Sequence, residues 1–105
     1  MTSTPKFKGV AVEFSNGETL IVPPLSLGSV EILQERLTNF KGGVDSDSVN
    51  LVVDATALAL QRNYPDITKE KIKDELVDLG NMEAVMLAVM DVSGLRRKEQ
   101  EKGEV

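Results

Sequence analysis

The spacing of apolar residues changes along the chain, and each change predicts an element. From Gly9 the rhythm is two-fold: Val10, Val12 and Phe14 alternate with Ala11, Glu13 and Ser15, and a β-rich run, Thr19-Leu20-Ile21-Val22, follows Asn16-Gly17. Asn-Gly accepts positive φ at both centres of a two-residue turn. A hairpin is therefore expected, with Phe14 opposite Thr19, Val12 opposite Ile21, and Val10, Val12, Phe14 and Ile21 on its buried face. Pro23-Pro24 ends the second strand, because neither residue can donate to a ladder.

The rhythm then turns helical. Val30, Leu33, Leu37 and Phe40 recur at one-turn spacing, which predicts a helix capped by Ser29, with Ser26 as an earlier start, and stopped by Gly42-Gly43. Ser48 to Asn63 is apolar on nearly every side, so it is the central helix around which the rest is arranged. It ends at Asn63-Tyr64-Pro65, since the residue before a proline is pushed out of the α region. Thr68 restarts a helix, with Ile67 and Ile72 placed as a hydrophobic staple and Ile72, Leu76 and Leu79 facing inward as far as Gly80. Asn81 caps one more helix, with Met82, Val85, Met86, Val89 and Met90 on its inner stripe and an end near Ser93-Gly94. The predicted fold is mainly α, about four helices around a central one, with an N-terminal β-hairpin. Residues 1–8 read as a mobile N-terminus, 9–95 as one domain, and 96–105 as a charged mobile tail without an apolar face.

Composition narrows the chemistry. With 105 residues the chain is one domain on length, and a chain this size buries only about two thirds of the surface its unfolded form exposes. Lys and Arg total 12 against 17 Asp and Glu, a net charge of -5 that repels phosphate backbones and anionic lipid, so neither nucleic acid nor membrane is an expected partner. The absence of Cys removes disulfides and thiolate ligands, and the absence of His removes the commonest metal ligand and the usual base near neutral pH. No stretch approaches the roughly 20 apolar residues a membrane span needs, and a cytoplasmic location is the default.

The remaining candidates have ordinary explanations. Asp45-Ser46-Asp47 opens like a calcium loop, but Asn50 and Thr56 stand where that loop needs Gly and Glu, so helix capping is expected. Asp54, within the most apolar helix, is expected in a solvent-facing seam. Met82, Met86 and Met90 share one helix face and suit either an adaptable docking groove or simple core filling, because a flexible thioether does both. Neither an enzymatic constellation nor a cofactor site is expected, since Ser and Thr have no base to activate them.

Three segments carry a resemblance: Val22-Pro23-Pro24-Leu25, Asn63-Tyr64-Pro65-Asp66-Ile67-Thr68 and Ser93-Gly94-Leu95. Together with the helices between them, from about Val10 to Leu95, they resemble the tail assembly chaperones of long-tailed bacteriophages. The resemblance implies a small, helical, non-enzymatic protein of the host bacterial cytoplasm that binds the tape-measure protein, helps recruit tail-tube subunits, and is absent from the mature virion. Met82, Met86 and Met90 are then the candidate partner-binding residues, and Asn16, Gly17, Pro23, Pro24, Asn63, Tyr64, Pro65 and Thr68 are structural. Self-association is compatible with this role. The family also commonly makes a longer product by programmed frameshift, for which Glu101-Lys102-Gly103 offers a slippery run if encoded GAA-AAG-GGN. A structural phage component, such as a head-to-tail connector or tail-terminator subunit, is the alternative.

Overall fold

A computed structural model describes residues 6–40 and 43–95. In chain order it comprises β1 (Val10–Glu13), β2 (Thr19–Val22), α1 (Leu27–Asn39), α2 (Ser46–Leu60), α3 (Lys69–Lys71), which widens into a π-helical turn over Ile72–Leu76, and α4 (Met82–Val92). The fold is mainly α with an N-terminal antiparallel hairpin, as the pattern predicts. The expected tail at 96–105, residues 1–5 of the expected mobile N-terminus, and Gly42 as a helix stop lie outside the described residues. Order begins before Gly9, because the Phe7 backbone both donates to and accepts from the Asn63 side chain.

α2 is the internal post. Nine of its fifteen residues are buried, including Leu51, Val52, Val53 and Leu60. Asp45 caps it by accepting from the Ser48 N–H and hydroxyl, the role expected of the Asp45-Ser46-Asp47 segment. The helix stops at Leu60, three residues short of Asn63, because Asn63 and Tyr64 fold back and donate to the Leu60 carbonyl. α4 packs against α2 and both strands, whereas α1 packs against α2 alone.

The hairpin register differs from expectation by one residue. Within the turn only Gly17 takes positive φ, at 90°, so the loop is the three-residue Ser15-Asn16-Gly17, closed by Gly17 N–H to Phe14 C=O at 2.9 Å and Phe14 N–H to Glu18 C=O at 2.8 Å. Val12 therefore faces Leu20, and Val10 faces Val22. A one-residue slip exchanges the faces of one strand relative to the other, so Leu20 and Val22, not Ile21, join Val12 and Phe14 on the core side, and Val10, expected there too, is exposed at the sheet's end. Val22 is fully buried and Phe14 nearly so. Gly9 lets the chain cross tightly beside Val22 and Pro23, where a Cβ would overlap the Val22 carbonyl.

Other boundaries also move. Ser26, not Ser29, caps α1, accepting from the Ser29 N–H at 3.1 Å, and Ser29 is buried behind it. Thr68 caps α3 as expected, accepting from the Lys71 N–H at 3.1 Å, and its staple partner Ile72 is buried. That helix ends at Leu76 instead of running to Gly80: Val77 is extended, its N–H reaches back to Ile72, and Leu79 is 71% exposed instead of inward. The Leu76 carbonyl accepts from Ser15 N–H and from the Asn81 amide instead of continuing a helix. Asn81 does not cap α4 with its side chain. Asp78 and Asn81 exchange side-chain bonds to each other's N–H groups, at 2.8 and 3.0 Å, in a capping-box arrangement one turn earlier.

Candidate functional site

Two of the three segments that carry the resemblance are bonded directly, through Leu25 and Ser93, and the third is bonded to the strand just before the first. Asn63 and Tyr64, just past the end of α2, reach the outer edge of β2: Ile21 N–H donates to the Tyr64 hydroxyl at 2.9 Å, and the Asn63 amide donates to the Ile21 carbonyl at 3.4 Å. Asn63 also bridges both ways to the Phe7 backbone, at 2.8 and 3.0 Å, and is itself buried. The Arg62 guanidinium donates to the Pro24 carbonyl and lies 4.0 Å from the centroid of the Phe7 ring. Finally, Leu25 N–H donates to the Ser93 hydroxyl at 2.8 Å, tying the exit of the hairpin to the end of α4. Such bonds satisfy backbone groups that have no ladder partner, on the outer side of β2 at Ile21 and beyond the end of the strand at Pro24 and Leu25. Asn63 and Tyr64, expected only to end a helix, are a clasp; no local signal reveals this, because their partners are about 40 to 60 residues away.

The methionines sort differently from a docking groove. Met86 is fully buried and Met82 is 7% exposed, both within the core cluster, and Met90 is half-buried against it. Of the two roles weighed for Met82, Met86 and Met90, core filling is the one this geometry provides, because a face whose first two thioethers are inside the domain cannot be offered to a partner. The exposed apolar side chains are elsewhere, chiefly Leu27 and Ile32 on α1, Leu79 before α4, and Leu87 on the outer side of α4.

Asp54 lies in a seam, as expected, between Arg36 of α1 and Lys69 of α3, each 3.0 Å away. Burial pushes its carboxyl upward, but the hydrogen bonds and charges of Lys69 and Arg36 outweigh that and hold it below its ordinary range. Asp78 is likewise held low, first by the Ser15 hydroxyl, which donates to it at 2.7 Å. Asp45 is held low by the Ser48 hydroxyl and N–H. These are structural carboxylates with assigned donors. An open cleft of about 430 Å³ separates the end of α1 from the start of α2, lined by Arg36, Asn39, Phe40, Asp45 and Asp47 among others. Among the described residues no group of three or more acidic side chains is placed to hold a metal ion, and no helix is long and apolar enough to cross a membrane. No family model, curated protein or solved structure matches the chain.

Proposed function

We propose that this protein is a non-enzymatic tail assembly chaperone of a long-tailed phage, which binds the tape-measure protein in the host cytoplasm and helps recruit tube subunits to it. The observation that supports the reading is the clasp. The three segments that resemble the family lie far apart in the chain, yet Val22–Leu25 is bonded through Pro24 and Leu25 to Arg62 and Ser93, and Tyr64 secures the strand just before it. Bonds of this kind give Pro24, Leu25, Tyr64 and Ser93 a joint structural role, which supports reading them as parts of one fold pattern. Exposed Leu27, Ile32 and Leu87 supply apolar contacts for an extended helical client, while the net charge of -5 keeps the complex dispersed.

Co-expression tests the reading. The tape-measure protein made with this chain should stay in the soluble fraction and co-purify with it, and the same protein made alone should precipitate. Equal solubility in the two cases would refute the proposal. Finding the chain in purified virions at fixed copy number would instead identify a connector or terminator subunit.

A further inference from the structure

Of the five asparagines in the chain, Asn16 alone precedes a glycine; the others precede Phe40, Leu51, Tyr64 and Met82. That neighbour matters chemically. A backbone nitrogen that loses its proton can attack the side-chain amide carbon of the asparagine before it, and glycine, with no Cβ, leaves the approach uncrowded. Asn16 and Gly17 are exposed, and beyond its chain neighbours no atom lies within 4 Å of where a Gly17 Cβ would stand, so water and hydroxide can reach the pair. The closed turn nevertheless engages every group the reaction needs. Gly17 N–H donates to the Phe14 carbonyl at 2.9 Å, Asn16 Oδ1 accepts from Glu18 N–H at 3.0 Å, and Asn16 Nδ2 donates to the Glu18 carboxylate at 2.9 Å. Lys71 Nζ, 3.3 Å from the same carboxylate oxygen, keeps Glu18 in place.

We propose that Asn16-Gly17 is a deamidation site that the folded turn holds shut, so that its conversion records the time the hairpin tip has spent open. With the tip open, hydroxide takes the Gly17 amide proton, the nitrogen's electron pair attacks Cγ of Asn16, and a cyclic imide forms as the Cγ–Nδ2 bond breaks. The departing nitrogen takes a proton from water and leaves as ammonia, which regenerates the hydroxide. Water then opens the imide at either carbonyl. Opening at Cγ gives aspartate in an ordinary chain, and opening at the backbone carbonyl gives isoaspartate, whose chain runs on through Cβ and Cγ. In sum one water enters and one ammonia leaves, with no oxidant or reductant. In the closed turn the same path must take a proton out of the Gly17–Phe14 bond and detach a nitrogen already donating to Glu18, so it waits on local opening. Neither product restores the turn. Aspartate sets a carboxylate against Glu18 where the amide had donated, and isoaspartate lengthens the backbone of a loop whose length fixes the register. The neighbouring Ser15 ties this tip to the Leu76 carbonyl and to Asp78, so conversion loosens the hairpin where it meets the helices. The site does not depend on the chaperone reading.

The test incubates the full chain in mildly alkaline buffer, native and in guanidinium chloride, and follows the peptide containing Asn16 by mass spectrometry. Native conversion should be slower than denatured conversion by about tenfold or more, because only the open fraction reacts. Equal rates overturn the proposal. Glu18→Ala, at an exposed position, should raise the native rate several-fold and leave the denatured rate alone, whereas Glu18→Gln keeps an acceptor oxygen for Asn16 Nδ2 and should stay near wild type. A Glu18→Ala chain with wild-type circular dichroism and the wild-type native rate would overturn the protective role of Glu18. If that variant does not fold, the native-to-denatured ratio of the wild type decides. The isolated isoaspartyl chain should lose hydrogen-exchange protection at Phe14, and full protection there would refute the loosening.

Discussion

α1 and α2 are close in length, thirteen and fifteen residues, yet α2 buries nine side chains and α1 only two, Ser29 and Leu33. Each is capped by an oxygen side chain just before its first turn, so their local start signals are equivalent. What differs is the surround. α2 is covered by the hairpin, α1, the α3 turn and α4, whereas α1 has α2 alone beneath it. Helical stability in proteins comes mainly from packing an apolar face. α2 is therefore held by the whole domain, and α1 by a single row of contacts, its cap and the Arg36–Asp54 pair. The lesson is that helices written with similar signals can be a foundation and an attachment.

Substitutions on the two helices should separate these roles. The largest effect is expected from Leu60→Ala, at a fully buried position of α2: a loss of about 2–5 kcal/mol of global stability, read as a lower urea midpoint with the slope unchanged. An unchanged midpoint would mean α2 is not the post. Ser26→Ala should cost about 1 kcal/mol, with hydrogen-exchange protection lost in the first turn of α1 while α2 keeps its own. Equal loss in both helices would erase the distinction.

The smallest effect belongs to the seam. The Asp54 carboxyl is depressed in the folded chain, so its contribution is present above the ordinary carboxylate value of about 3.9 and is lost as pH falls through the lower folded value. Asp54→Asn should remove that part of the acid dependence and cost only a few tenths of a kcal/mol near neutrality, because Arg36 and Lys69 are substantially exposed. Acid titration of wild type and variant by circular dichroism checks this, and identical curves would show the pair contributes nothing.

How far the fold was legible follows the range of the forces involved. The hairpin, the post, the Thr68 restart and the Met82 stripe rest on local pattern and exist as elements where it places them, although the hairpin register and the end of the post move. The turn at Asn16-Gly17 was ambiguous because Gly17 alone can provide the one positive φ of a three-residue loop. A face count would have decided it, since pairing Leu20 and Val22 with Val12 and Phe14 gathers more apolar area than Ile21 does. Leu79 fits the stripe of Ile72 and Leu76, but the π turn widens the spiral, and Ser15 and Asn81 capture the Leu76 carbonyl from outside the helix. The clasp was illegible for the same reason: Asn63 and Tyr64 have no partner within their own segment. Nor does spacing distinguish a methionine that fills a core from one that meets a client, since both use one helix face.

The clasp also sets an order of events during synthesis. Its bonds join residues 43, 56 and 68 positions apart, from Ile21–Tyr64 through Phe7–Asn63 to Leu25–Ser93. A ribosome adds about 5–20 residues per second, so Leu25 waits roughly 3 to 14 seconds for Ser93 to be made. During that interval the hairpin lacks α4, the one helix that packs on both of its strands, and two strands alone are only marginally stable in water. The nascent chain therefore carries its first-made element unfinished for longest, and translation of the last turn of α4 decides when the hairpin becomes native.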